Sequence, residues 1–444
     1  MIPAILVLLI VLASTQTAPA QKGPPDVTSQ AQAAVTALTS GDFAALEDQF
    51  TSEMKAAMPV ERLKETWTRL LAQAGEFKSC GTNARVVAIG DKRMVITPCE
   101  FARAKLDLQF AFDGEGKIGG MSIRPTTGPE VPYTFPAYAK PAAYAETALT
   151  IGSGEWALPG TLTAPVDGAS LPAVILVHGS GPNDRDETIG GNKPFKDLAV
   201  GLASRGIAVL RYDKRSRVHG AKLAALQTLT VDQEVVEDVA IAVRTLRAQP
   251  RIDPARIFVL GHSLGGMLVP RIAATDSTLA GLIVLAGPAR PLEDAMVAQT
   301  RYMAAADGTI SPDEQSAIDQ MTAIANSVRA LKPEDAASGR LAGGAPASYW
   351  LDLRGYDPPV AAKAVKARML ILQGERDYQV TMEEFARWKG ALGSRSDVTF
   401  RSYPTLNHLF IAGTGPSLPA EYQAAGHVAE DVVRDIAAWI LPAR

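Results

Sequence analysis

The sequence predicts a two-part chain: a small α+β domain, then an α/β domain whose mostly parallel sheet is covered by helices and carries a helical insertion. Three observations predict this. Beyond residue 146, short apolar runs alternate with helix-like stretches, and continuous apolar runs are what strands buried on both faces require. One such run, 257–260, leads directly into Gly261-His262-Ser263-Leu264-Gly265-Gly266 and then an apolar helical stretch. Upstream, prolines at 125, 129, 132, 136 and 141 separate this pattern from a different one. Proline at that density favours an extended, semi-rigid linker, which sets the boundary at 126–145.

The chain has 444 residues, 47% of them hydrophobic and 20% charged, with a net charge of −3. That describes a globular protein of two or three domains, and the absence of basic blocks excludes a nucleic-acid partner. Residues 1–13 form an apolar core of signal-peptide length, followed by polar 14–17 and Ala18-Pro19-Ala20, a small-x-small site. The expectation is a signal peptide over 1–20, cleaved before Gln21, and export to the periplasm or medium. An uncleaved anchor is the alternative, because the segment's start has no Lys or Arg. The run is shorter than the roughly 20 residues a membrane span needs, so no stable anchor is expected.

Residues 28–125 should form the α+β domain. Residues 30–38, 43–50 and 60–71 carry helical signals, the last with Val60, Leu63, Trp67, Leu70 and Leu71 at helical spacing. Residues 84–89, 93–97, 104–112 and 118–123 then alternate or are β-rich, with Gly90-Asp91 and Asp113-Gly114-Glu115-Gly116 as hairpin turns. A four-stranded antiparallel meander is expected. Cys80 and Cys99 are the only cysteines. In an exported chain a disulfide between them is the expectation, with two buried thiols the alternative.

Residues 146–444 should form the α/β domain. Segments 148–151 and 156–163 read as an opening hairpin, and 173–177, 207–212, 257–260, 282–286, 369–373 and 398–403 as strands. The segment between 286 and 369 is far longer than one crossover helix needs, and 293–306, 312–331 and 347–353 look helical. A cap inserted at about residues 289–365 is expected.

A serine on a sharp strand-to-helix turn, with glycines two residues either side, is the arrangement of a nucleophile elbow. Its hydroxyl needs a base and an acid to orient that base. His408 follows the last strand and Asp377 the strand before it, where an open α/β sheet gathers its site. The competitors are His427 and Glu375, the latter read as a turn residue paired with Arg376. An oxyanion would need two fixed donors: the amide of Leu264, and that of Ser180 in the loop His178-Gly179-Ser180-Gly181-Pro182. The cluster Asp184, Arg185, Asp186, Asp213 and Lys214 reads as residues that pair to fix loops, and Tyr349 and Trp350 as cap packing or pocket wall.

These motifs, with Gly374-x-x-Asp377 and Asn407-His408, resemble the α/β-hydrolase superfamily over roughly two thirds of the chain. The strings from Ser153 to Leu162, from His178 to Glu187 and from Leu210 to Arg215 are similar to two-domain bacterial esterases. The first domain's element order resembles nuclear-transport-factor-like domains. The resemblance implies hydrolysis of small short-chain carboxylic esters without metal or cofactor, with Ser263 as nucleophile, His408 as base and Asp377 as acid. A serine peptidase of the prolyl-oligopeptidase kind, a thioesterase, and a non-catalytic binding module on the same fold are the alternatives. Oligomeric state is not written in these patterns.

Overall fold

The computed structural model describes residues 26–81, 83–89, 92–102, 104–126, 132–226, 228–339 and 341–441. The expected signal segment, 1–20, and the Gly90-Asp91 turn lie outside these. The chain divides into two compact units, Met1–Pro129 and Glu130–Arg444.

The first unit opens with helices α1 (Val27–Ser40), α2 (Phe43–Glu47), α3 (Ser52–Ala57) and α4 (Val60–Ala74). Asp26 starts α1 by accepting the amides of Thr28 and Ser29, and Gly41 ends it at φ 80°. Strands β1 (Phe77–Cys80), β2 (Arg85–Ile89), β3 (Lys92–Phe101), β4 (Lys105–Phe112) and β5 (Ile118–Pro125) follow. The antiparallel sheet therefore has five strands where four were expected. The extra one, β1, is four residues long with Lys and Ser at its centre, so no alternation announces it. Both β1 and β2 pair with β3, β2 along Lys92–Ile96 and β1 along Cys99–Phe101. Cys80 and Cys99 are directly opposed in that register and joined by a disulfide. Leu38, Leu46, Leu63 and Trp67 from the helices pack on Leu106, Leu108, Phe110 and Phe112, one face of β4.

In the second unit the expected linker is shorter than 126–145, because strand β6 (Tyr144–Ile151) begins inside it. Residues before β6 are also tied down: the Tyr133 hydroxyl donates to Asp197 at 2.7 Å and that of Tyr138 to the Val428 carbonyl at 2.8 Å. The chain continues through β7 (Leu158–Pro165), β8 (Leu171–Val177), α5 (Pro194–Ala203), β9 (Ala208–Tyr212), α6 (Arg215–Val218), α7 (Gly220–Ala225), α8 (Glu237–Arg247), β10 (Ile252–His262), α9 (Leu264–Thr275) and β11 (Gly281–Leu285). The insertion holds α10 (Leu292–Ala304), α11 (Pro312–Arg329), the short hairpin β12–β13 (Leu341–Ala342 and Ala345–Pro346), α12 (Ala347–Leu353) and α13 (Pro358–Ala362). Then come β14 (Met369–Gly374), α14 (Met382–Leu392), β15 (Val398–Tyr403) and α15 (Glu430–Ile440).

Eight of these strands form one sheet in the order β15-β14-β11-β10-β8-β9-β7-β6. All run parallel except β7, which is antiparallel to both β6 and β9. Successive side chains of β8 go to opposite faces. Ala173, Ile175 and Val177 belong to the face of the sheet covered by α8, α9 and α14, while Val174 and Leu176 belong to the face covered by α5 and α15. Two covered faces explain why these strands read as unbroken apolar runs. The same arrangement brings the carboxyl ends of β8, β10, β14 and β15 to one edge of the sheet.

Candidate active site

Ser263 joins the last residue of β10 to the first of α9 at φ 51° and ψ −118°. A side chain at positive φ is strained and persists only where its surroundings dictate it. Here the Ser263 amide donates to the Leu285 carbonyl at 2.9 Å and its carbonyl accepts the Met267 amide at 2.9 Å. The flanking glycines are required by contact: a Cβ at Gly261 would lie 2.2 Å from the Gly265 carbonyl oxygen, and one at Gly265 would lie 2.3 Å from that of Val177. Only bare backbone lets α9 start this close to β8 and β10.

The loops after β14 and β15 bring Asp377 and His408 together. His408 Nδ1 lies 2.7 Å from Asp377 Oδ2, with both side chains buried. The other carboxylate oxygen accepts the amides of Gln379 at 2.7 Å and Val380 at 2.9 Å, and Gln373 Nε2 reaches Oδ2 at 3.1 Å. An acceptor-only carboxylate opposite Nδ1 puts the ring proton there and leaves Nε2 as the basic nitrogen. Asn407 shapes the turn by accepting the amides of Leu409 and Ile411 at 3.0 and 3.1 Å. Of the competitors, Glu375 is exposed and accepts the Ser402 hydroxyl; Arg376 pairs with Glu421, not with Glu375 as expected. His427 is bound to the buried Asp197 at 3.1 Å instead.

The loop after β8 abuts the serine, since a Cβ at Gly179 would lie 3.2 Å from Ser263 Cβ and 3.7 Å from its Oγ. Among the described residues, no acceptor takes the amide of Ser180 or of Leu264. Glu187, which the sequence reading passed over, organises this region from a buried position at φ 52°. Its Oε1 accepts the Gly179 amide at 2.7 Å, and its Oε2 lies 2.9 Å from His262 Nδ1, at ion-pair distance without hydrogen-bond alignment. His262 Nε2 in turn lies 3.0 Å from the His408 carbonyl oxygen, and the two rings are 4.6 Å apart. The loops carrying Gly179, Ser263 and His408 are thus pinned to one buried pair. Burial works to discharge both partners, but their mutual attraction wins: the His262 ring is held above its ordinary value and the Glu187 carboxyl below its own. His178 is the opposite case, pushed by burial down to about 4 and so neutral. In sequence Glu187 sits in a run of charges that looks like solvated surface, and only a fold could reveal it as core.

Of the charged cluster, Arg185 and Asp213 pair with each other as expected, through two nitrogens at 3.0 and 2.8 Å, while Asp186 pairs outside it with Arg211, which also binds Glu146. Lys214 differs: it is buried, donating to the Gly179 carbonyl at 3.0 Å with Glu234 at 3.3 Å. Tyr349 and Trp350 are both buried, the first donating to Glu234 at 3.0 Å and the second to the Ala342 carbonyl. No three His, Cys, Asp or Glu side chains among the described residues converge as a metal set.

A mixed sheet covered on both faces, with a serine held at positive φ between strand and helix at its carboxyl edge, defines an α/β-hydrolase. Residues 172–413 match the family described as serine aminopeptidase, S33, and the chain belongs to that family. Residues 31–121 match a family described as a protein of unknown function (DUF3887). Over 404 residues the chain is 38% identical to Esterase EstD of Thermotoga maritima, covering 91% of this chain and 93% of that protein. Solved structures that resemble it include the hyperthermophilic esterase of Pyrobaculum calidifontis (TM-score 0.42, 18% identity, 67% of this chain and 85% of that one). Est1E of Butyrivibrio proteoclasticus is another (TM-score 0.42, 16% identity, 67% and 99%). The kinship rests on the sequence matches, which span both units.

Proposed function

We propose that the protein is an exported serine esterase that cleaves short-chain carboxylic esters through an acyl-enzyme. The observation that carries this reading is the buried His408–Asp377 pair, 2.7 Å apart, at the same carboxyl edge of the sheet as the strained Ser263. Ester hydrolysis is favoured by the identity to Esterase EstD, 38% over both units, and short-chain preference by the family resemblance. Export rests on the apolar segment and small-x-small site of residues 1–20.

In this mechanism His408 Nε2 takes the Ser263 hydroxyl proton as Oγ attacks the ester carbonyl. Asp377 stabilises the imidazolium and remains ionised. The carbonyl oxygen becomes an alkoxide held by the Leu264 and Ser180 amides, which among the described residues have no acceptor to release first. Collapse breaks the bond to the alcohol, which leaves with the proton from His408. A water, deprotonated by the same nitrogen, then attacks the acyl carbon, and Ser263 recovers its proton as the acid departs.

Ser263→Ala tests the proposal. The variant is expected to keep its melting temperature and lose both hydrolysis of a chromogenic acetyl ester and labelling by a fluorophosphonate. Undiminished turnover in the variant would reject Ser263. A peptidase is the second reading, favoured by the description of the matching family. A parallel panel of acetyl esters and aminoacyl amides separates the two, with esters expected to be cleaved and amides spared.

A further inference from the structure

We propose that Lys214 is a positioning residue for the oxyanion hole, acting through the Gly179–Ser180 peptide with Glu234 as its counter-ion. The proposal rests on the reading of the Ser180 amide as an oxyanion donor.

The argument begins with which atoms share a peptide plane. The carbonyl of Gly179 and the amide of Ser180 belong to one rigid unit, so fixing the oxygen fixes the direction of the N–H opposite it. That oxygen accepts two side-chain donors, Lys214 Nζ at 3.0 Å and Asn183 Nδ2 at 3.2 Å. The preceding peptide is held as well, because Glu187 takes the Gly179 amide at 2.7 Å. An anion on one side of Gly179 and a cation on the other leave the loop a single orientation, with the Ser180 N–H directed away from Lys214. Gly179 itself stands against Ser263, so the peptide so oriented borders the reacting serine.

Charge adds to geometry. Donation to a carbonyl withdraws electron density along the peptide and makes its N–H a stronger donor, the more so where water is excluded. The Lys214 side chain is only 3% exposed, so its ammonium acts in that setting. A cation buried there needs a counter-charge, and Glu234 Oε1 supplies it at 3.3 Å. Glu234 lies in a π-helical turn, Asp232–Val236, just before α8. Burial works to raise its carboxyl, but Lys214, Ser216 and Tyr349 together hold it below the ordinary value, so it carries the charge. Its other oxygen accepts the Tyr349 hydroxyl at 3.0 Å, which ties the arrangement to α12 of the insertion. A chain of contacts thus runs from the cap through Glu234 and Lys214 to the peptide proposed to hold the alkoxide. For loop anchoring alone, a neutral donor would serve; a buried lysine with its own carboxylate is a costlier device that makes sense where charge develops.

The test replaces Lys214→Met together with Glu234→Gln in the full chain, so that no carboxylate is left buried and unpaired. Losing an oxyanion donor costs about 10² to 10³ in rate, and weakening one should cost less. The expected result is a fall in kcat of about 10- to 100-fold with KM within about twofold. Affinity for a trifluoromethyl ketone, whose serine adduct puts an oxyanion in the same hole, should fall by a similar factor. The melting temperature should stay close to that of the wild type; a purely structural role would move it and leave the kcat-to-ketone correspondence absent. A second variant, Lys214→Gln with Glu234→Gln, keeps an N–H donor without charge and should fall between the two, and it decides the matter if the first does not fold. Wild-type kcat and ketone affinity in either folded variant would overturn the proposal. If the wild type itself fails to label at Ser263 with a fluorophosphonate, the hydrolase reading falls first and this one with it.

Discussion

Asp377 receives four hydrogen bonds, and their division between its oxygens makes an isosteric substitution informative. Oδ1 accepts two backbone amides, those of Gln379 and Val380, while Oδ2 accepts His408 Nδ1 and Gln373 Nε2. In Asp377→Asn the amides, which cannot turn away, keep the side-chain oxygen at the first position. The NH₂ must then face Nδ1, and two donors meet. The imidazole resolves this by moving its proton to Nε2, where it can no longer accept one from Ser263. We expect kcat for an acetyl ester to fall by about 10⁴-fold, the loss such a tautomer change causes in other serine hydrolases. KM and melting temperature should be little changed. A loss smaller than tenfold would show that Asp377 does not set the tautomer. Glu375→Gln, at an exposed carboxylate bonded to Ser402, should leave kcat unaltered.

The elements of the second unit were legible because the sheet is buried on both faces. Strands β8, β10, β11 and β14 are each wholly or largely apolar, and edge strand β15 alternates Val, Phe and Ser with Thr, Arg and Tyr, so their carboxyl ends could be located to within a few residues. Candidate residues followed from those ends, since a histidine or aspartate just past a parallel strand has few places to go. Short elements without periodicity were not legible: α3 is six residues, Ser-Glu-Met-Lys-Ala-Ala, and β1 four. Nor was anything that depends on which charges turn inward. Glu187 and Asp184 lie three residues apart in one charged run, yet one is buried against His262 while the other caps a surface turn through Thr188. The Glu187–His262 pair yields a pH prediction at this scale. His262 is raised above its ordinary 6.5, so its contribution is whole below about pH 6.5 and fades as pH climbs through the raised value. Glu187 is lowered from its ordinary 4.5, so its contribution is whole above about pH 4.5 and fades as pH falls through the lowered value. The difference in melting temperature between wild type and Glu187→Gln should therefore be greatest between about pH 4.5 and 6.5 and narrow on both sides. The Gln can still accept the Gly179 amide, so the comparison isolates the charge. A pH-independent difference would mean that the pair is not ionised in the fold.

At the scale of the molecule, every residue of the candidate site lies in the unit Glu130–Arg444, while the disulfide lies in the unit Met1–Pro129. Each unit has its own hydrophobic core: the helices and β4 face in the first, the two faces of the eight-stranded sheet in the second. Separate cores predict separate unfolding transitions, and the disulfide offers a way to move one alone. It ties residues 19 apart in sequence. Closing a loop of that size removes unfolded-state entropy worth about 3 kcal/mol, which for a domain of roughly 100 residues corresponds to roughly 10–25 °C in unfolding temperature. We therefore expect Cys80→Ser with Cys99→Ser to lower one calorimetric transition by that amount. The other transition, the temperature at which esterase activity is lost, and kcat at 25 °C should all be unchanged. Reduction of the wild type by dithiothreitol should give the same shift. If inactivation instead moves down with the first transition, catalysis depends on the folded first unit, and the site drawn from residues of the second would be incomplete. The bond also bears on location, since a disulfide persists in oxidising compartments and is rare in the cytosol. Quantitative oxidation of both cysteines in protein recovered from the periplasm or medium, and not in a form deprived of residues 1–20, would join the chemistry of this one bond to the proposed export.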